Sequence, residues 1–289
     1  MQFPIFKDAR YFQLIFQSMF LAYGIFHLHW NGECWLYTIY FGVSILTQII
    51  CESLFIKKPQ RSFRRLINGL PSALISSFGL TLLLKTTYVG IGVLAAFVAI
   101  ISKYIIRING KHLFNPSALG IVVALLFTGD AWINAGQWGS DVVLLFGALC
   151  MGCIVVTRVQ KLDTSLAFLG TFAALLFVRQ ILFLGWPLDF FVQSISTGSL
   201  LLFSFFMITD PKTTPNHSIA RIVWAAVVAA VAFYLATFHF VNGAPVWVLI
   251  LSQPLVPVLD HVFKEKLFEW NTPILLHEKE SVSTMLNTT

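Results

Sequence analysis

Two hydroxyl-rich stretches interrupt an otherwise apolar chain. Residues 68 to 81 carry Asn68, Ser72, Ser76, Ser77 and Thr81 with Gly69, Pro71 and Gly79, and residues 193 to 204 carry Gln193, Ser194, Ser196, Thr197, Ser199 and Ser204 around Gly198. Facing each other, their hydroxyls and the backbone freed by Gly and Pro could line a central site or pathway. Small residues also let helices pack closely without any ligand, so both readings stand at this point. Cys150 and Cys153 lie one helical turn apart, a spacing that suits a redox dithiol or half of a metal site. Cys34 and Cys51 fall too far away to complete one, which favours a packing role for the thiols. The histidines lack metal-ligand spacing, and no phosphate-binding loop, dinucleotide fingerprint or nucleophile elbow occurs.

Two proline motifs add geometry to the hydroxyls. Asn115-Pro116 reads as an N-cap followed by proline at the first helical position, which aims a helix N-terminus into the protein. Its free N–H groups and partial positive charge could hold a carbonyl or phosphate, or only fix the geometry of a half-helix. Asp210-Pro211, with Thr209 beside it, could cap the turn after the second hydroxyl-rich stretch. The expected binding residues are therefore Ser72, Ser76, Asn115, Pro116, Ser196, Thr197, Thr209 and Asp210, with no catalytic or metal-ligating residue among them.

Membrane helices must position these residues. The 289 residues are 57% apolar and only 11% charged, with a mean hydropathy of +0.79, against about 25% charged residues in a soluble domain. A formal charge of +6 is then the lysine and arginine excess of cytoplasmic loops rather than a nucleic-acid footprint. Apolar stretches predict ten crossings: 12–30, 35–55, 66–84, 89–106, 115–128, 142–159, 166–186, 190–208, 222–241 and 244–263. The fifth is short enough to be a half-helix shielded by protein. With both termini inside, all but Lys85 and Arg179 of the 19 lysines and arginines fall on or near the inner side. Segments six to ten begin 124 to 133 residues after segments one to five, and a repeat of five crossings must be inverted relative to its partner. The expected fold is thus an all-α polytopic membrane protein, residues 1–263, with inverted repeats at about 12–128 and 142–263. Residues 264–289 form a cytoplasmic tail with an interfacial helix near Leu267 to Trp270.

Three motifs carry a resemblance. Gly110-Lys111-His112-Leu113-Phe114-Asn115-Pro116-Ser117-Ala118 resembles a G-x-N-x-F-N-P-A segment, and Phe205-Phe206-Met207-Ile208-Thr209-Asp210-Pro211 resembles F-F-M-A-T-D-P. Pro254-Leu255 with Asp260 is similar to a closing P-L-I-D. All three belong to the membrane-protein family that comprises RnfD of Rnf complexes and NqrB of sodium-translocating NADH:quinone oxidoreductase. The nearest branch in length is the UnbU-type membrane proteins of enediyne biosynthesis. The resemblance spans about Leu66 to Asp260 and implies a multi-pass subunit of an electron-transfer complex in the bacterial inner membrane, with partner subunits, in a urea-transporter-like fold. Family members attach flavin mononucleotide to a threonine in a loop after the F-N-P-A helix. Here Gly129 to Ser140 contains no threonine, so covalent flavin is not expected. The resemblance leaves a flavin or quinone held non-covalently between the halves. Two other readings are a small-solute or ion channel lined by the hydroxyls, and a non-catalytic anchor for partner proteins.

Overall fold

The computed structural model describes residues 8–30, 34–55, 63–108, 110–133, 147, 152–157 and 160–265. Cys150, the tail with Leu267 to Trp270, most of segment six and the loop beyond Ile133 lie outside the described residues.

Helices fill nine of the ten predicted segments, and the six described residues 152–157 of the other are helical too. In the first half these are α1 (Ala9–Phe26), α2 (Cys34–Phe55), α3 (Phe63–Leu83), α4 (Val89–Ile105) and α5 (Pro116–Phe127). The second half contains α6 (Leu162–Phe177), α7 (Leu188–Ile195), α8 (Gly198–Leu202), α9 (Ser218–Phe238), α10 (Ala244–Ser252) and α11 (Val256–Val262). Wide π turns extend α6 over Val178–Phe183 and α8 over Phe203–Met207, and a 3-10 turn at Gln253–Leu255 joins α10 to α11.

Segment eight is not one straight helix. It breaks at Ser196-Thr197, where Thr197 is extended, and its two pieces meet at 47°. The hydroxyls explain the weak point: Ser194 and Ser196 bond back to the carbonyls of Phe190 and Val192, competing with the helix ladder just before Gly198. The tenth segment softens for another reason, because Pro254 and Pro257 cannot donate to the turn before them. The all-α expectation also needs a correction. Among the described residues two short antiparallel ribbons occur, β1 (Leu84–Thr86) with β4 (Ala131–Ile133) and β2 (Arg107–Ile108) with β3 (Lys111–His112). Each pairs backbone at helix ends, where hydrogen bonds would otherwise be lost.

Among the described residues, four helical stretches are long and apolar enough to cross a membrane alone: Cys34–Phe55, Leu162–Phe183, Ser218–Phe238 and Ala244–Val262. The bent pair α7 and α8 makes a fifth. By contrast α5 has 12 residues, roughly 18 Å at 1.5 Å per residue, against about 30 Å of hydrocarbon. Large apolar side chains remain exposed on the outside of the bundle, Phe183 at 79% and Leu251 at 70% among them. Such a belt is what a multi-pass membrane protein presents to lipid.

Packing runs α1 on α3, α3 on α2, α2 on α4 and α4 on α5 in the first half, and α6 on α9 and α9 on α10 in the second. The halves meet where α5 lies on α10. The α4–α5 contact is close because Ala95 and Ala99 face Gly120, where an added Cβ would stand 2.5 Å from the Ala95 carbonyl oxygen. Dispersion between close backbones replaces the hydrophobic drive that lipid removes. Gly42 on α2 has nothing within 4 Å of an added Cβ. Gly120→Ala is therefore expected to lower the thermal midpoint of the detergent-purified protein. Gly42→Ala should raise it through better helix propensity, worth about 0.5 to 1 kcal/mol. Equal behaviour of the two would refute the close approach.

Candidate functional site

The three motif stretches meet at one point, and Asn115 is the junction. Its Oδ1 accepts the Ala118 N–H at 3.1 Å, closing the first turn of α5, with Pro116 at the first helical position. The Asn115 N–H donates to Gln253 Oε1 at 3.0 Å, and its Nδ2 donates to the Met207 carbonyl at 3.2 Å. One buried residue thus ties the start of α5 to the π turn of α8 through its side chain and to the 3-10 turn after α10 through its backbone N–H. Charged pairs repeat the pattern: His112 Nε2 lies 3.5 Å from Asp210 Oδ2, and Lys111 Nζ lies 2.9 Å from Asp260 Oδ2. Lys111 also donates to Asn216 Oδ1 at 2.7 Å, whose own N–H donates to Asp260 Oδ1 at 2.7 Å.

Beside this junction lies a cavity of about 500 Å³, within the range of small-molecule sites, about 300 to 1,000 Å³. It opens on the face that gathers the starts of α1, α3 and α5 with the ends of α2 and α4. Six of the eight expected residues line it: Ser72, Ser76, Asn115, Pro116, Thr209 and Asp210. The other two do not. Thr197 lines a second cavity of about 410 Å³, with Thr237, Asn242, Gly243 and Phe203, among whose lining residues none is ionisable. Ser196 lines neither and is spent on the Val192 carbonyl at 2.6 Å. Between the cavities stands the π turn of α8, with Phe203 on one side and Phe206 and Met207 on the other.

The hydroxyls are mostly occupied within their own helices. Ser76 donates to the Ser72 carbonyl, Thr209 to the Phe205 carbonyl, and Ser204 to the Leu200 carbonyl. More active chemistry sits in residues that hydroxyl and charge counting passes over. Lys103, buried at the end of α4, donates to both the carbonyl (2.9 Å) and the hydroxyl (3.2 Å) of Ser72. Glu52 Oε1 receives the Tyr104 hydroxyl at 3.2 Å and Gln48 Nε2 at 3.4 Å. Gln17 and Gln48, 3% and 4% exposed, both line the cavity, and the Oε1 of each is buried without a hydrogen-bond partner. Their sequence signal is plain: an amide in an apolar helix is costly to bury unpaired, about 2 kcal/mol or more, wherever it occurs.

Asp210 also organises the turn it begins. Its Oδ1 accepts the Lys212 N–H at 3.0 Å, and its carbonyl accepts from Thr213 and Thr214. Burial raises its carboxyl pKa, but the His112 hydrogen bond and charge, and the Lys212 N–H, outweigh burial and hold it below the usual carboxylate range.

Family comparison matches the part of the chain that carries half of this junction. The NQR2, RnfD, RnfE family profile matches residues 124–269, half of the chain, including Met207, Asp210, Gln253 and Asp260. The chain belongs to this family. Three relatives are each named as the D-type subunit of an ion-translocating oxidoreductase complex. That of Tolumonas auensis is 26% identical over 147 residues, 50% of this chain and 38% of the relative. The Halorhodospira halophila protein is 31% identical over 74 residues, 26% of this chain and 21% of its own. The Buchnera aphidicola protein is 29% identical over 77 residues, 27% and 22% of the two chains. The matched stretch therefore spans about a fifth to two-fifths of these RnfD-type relatives. In this family member, Asn115 and its neighbours in the F-N-P motif lie just before the profile match, and they meet the matched motifs in space.

Asn115→Ala should remove a cap worth about 0.5 to 2 kcal/mol and the side-chain donor to the Met207 carbonyl, at about 1 to 3 kcal/mol, while the backbone N–H to Gln253 Oε1 is kept. The expected result is a large fall in thermal midpoint, and a change no larger than that of an exposed control such as Ser53→Ala would refute the junction. Because the Asp210 carboxyl is depressed in the folded state, its stabilisation is complete above the unfolded aspartate value of about 3.9 and is lost as pH falls below it. Asp210→Asn should make the acid-side fall in thermal midpoint shallower than in the wild type, and an unchanged slope would refute the pairing.

Proposed function

We propose that this chain is the RnfD-type membrane subunit of an ion-translocating oxidoreductase complex, and that its cavity beside Asn115 holds a non-covalent flavin. The observation that carries the reading is the pair of buried amide oxygens, Gln17 Oε1 and Gln48 Oε1, without a hydrogen-bond partner, on residues that line a cavity built by the motif residues. Gln48 gives its N–H to Glu52, so oxygen is the atom left over. Buried acceptors call for a donor. A flavin ring offers an N–H donor, whereas a quinone offers two more acceptors, so the residues fit the flavin and not the quinone.

In this reading the chain binds and orients. Gln17 and Gln48 meet the ring edge, Ile75, Val155 and Phe206 supply apolar walls, and Lys103 stays fixed against Ser72. A bound flavin would supply one- and two-electron transfer. Cofactor contacts fall to Ser72, Ser76, Asn115, Pro116, Thr209 and Asp210, and Ser196 and Thr197 are left out of this site.

The proposal extends to the architecture: ten crossings in two inverted halves, with both termini cytoplasmic in a bacterial inner membrane and partner subunits docked on the complex. Helix packing supports the inversion, since α2 on α4 on α5 recurs as α6 on α9 on α10. The cavities support it too. With the offsets between segments, Tyr104, Pro116 and Met207 of one cavity correspond to Thr237, Pro245 and Leu83 of the other. The orientation is supported by Arg10, Lys103, Arg107, Lys111 and Lys212, which gather on one face. A solute channel is less well supported, because the buried apolar turn Phe203–Met207 separates the cavities and the hydroxyls bond within their helices.

Protein purified from a flavin-replete host and released into denaturant should give the flavin absorbance and fluorescence spectrum at about one per chain. A colourless preparation overturns the flavin reading.

A further inference from the structure

A smaller cavity of about 190 Å³ lies where α11 meets the β2–β3 ribbon. It falls below the range of drug-sized sites, about 300 to 1,000 Å³, and suits a compact polar group. Its charged lining residues are Lys111, Lys212, Asp260 and Glu265, two of each sign. One pair is closed. Lys111 places its three donors on Asp260 Oδ2, Asn216 Oδ1 and the Thr214 carbonyl, at 2.9, 2.7 and 3.3 Å, and Asp260 Oδ1 accepts the Asn216 N–H. The other pair is open: neither the Lys212 ammonium nor the Glu265 carboxylate has a hydrogen bond or ion pair among the described residues. Lys212 is half-buried. Burial lowers its pKa, Asp210 opposes this, and the charges of Arg107, Arg10 and Lys111 lower it further, so an anion placed on it would relieve the crowding.

The walls point to a lipid as the source of that anion. Ile108, Leu113, Val256 and Pro257 line the cavity, and Ile105, Leu255 and Val258, beside them in the chain, belong to the exposed apolar belt. Lys212 and Glu265 follow the ends of the eighth and tenth apolar segments, the depth at which hydrocarbon gives way to headgroups.

We propose that this cavity holds the phosphoethanolamine headgroup of a membrane phospholipid, with Lys212 donating to its phosphate, its primary ammonium donating to Glu265, and its acyl chains along the exposed side chains of α4 and α11. The charges decide among lipids. An anionic glycerol headgroup would leave Glu265 facing a negative ligand, and a choline headgroup has no N–H to give it. A phosphate and a primary ammonium satisfy both groups with charge-assisted bonds. Glu265 and α11 take no part in the cavity beside Asn115, so this site stands whether or not a flavin is bound there.

The test places the full chain in detergent and in nanodiscs with phosphatidylethanolamine, phosphatidylcholine or phosphatidylglycerol, reading retained lipid by native mass spectrometry and stability by thermal midpoint. The expected result is one ethanolamine lipid per chain, held about tenfold or more tighter than either of the others. Glu265→Gln should reduce its retention to that of the choline lipid, and Lys212→Gln should abolish retention of all three. The lipid-free midpoints of both variants should not fall below that of the wild type, because neither side chain has a partner to lose. Tighter binding of the glycerol lipid, equal binding of all three, or wild-type retention of the ethanolamine lipid in either variant overturns the proposal. Equal protection by soluble phosphoethanolamine in the absence of lipid assigns the cavity to a solute and also overturns it.

Discussion

Hydrocarbon cannot hydrogen-bond a stray peptide group, so every interruption of a helix inside this bundle must be satisfied by another part of the chain. Asn115 meets that constraint where it is most severe. There α5 begins, with only 12 residues, while α8 widens into a π turn and α10 tightens into a 3-10 turn. Three irregular backbones would each leave polar groups unpaired. Placed against one another, they share a single asparagine and a single glutamine as partners. The cavity is the space beside this junction, where regular helices do not close.

The same constraint explains why the carboxylates lie where they do. Asp163, Asp210 and Asp260 sit at helix ends on one face, and each is matched to a basic side chain: Arg221, His112 and Lys111. Arg221 also donates to the Asn216 carbonyl, and Lys161 to the Pro215 carbonyl. These bonds fix the connection from Asp210 to Ser218, and with it the wall of the cavity. A partly buried pair of this kind adds little net stability over an apolar substitute, but removing one partner is costly. Its contribution here is to set where the connection lies.

Much of this is legible in the sequence, because hydropathy reports the solvent directly. Nine described helical segments fall where apolar runs predict them, and Asn115-Pro116 reads correctly as a cap followed by a helix start. The break at Ser196-Thr197 is not legible as a break, since the run from 190 to 208 is long enough to read as one crossing and the competing bonds come from two hydroxyls that suit helix packing equally well. The ribbons β1–β4 and β2–β3 are illegible for a different reason. They are two or three residues long and exist only because separate helix ends come together. Gln17, Gln48 and Gln253 stay hidden when only charges inside spans are weighed, although an unpaired amide is expensive for the same physical reason.

The two cavities differ in a way their positions do not. On the proposed repeat, proline lines both at equivalent places, Pro116 and Pro245, but Lys103, Tyr104 and Asn115 correspond to Ala236, Thr237 and Ala244. On that proposed repeat the second position would keep the space and lack the charge. A neutral, partly apolar cavity binds through shape and a few hydroxyls, and does so weakly for anything ionised, because desolvating a charge there finds no compensating partner. The charged cavity has the opposite bias.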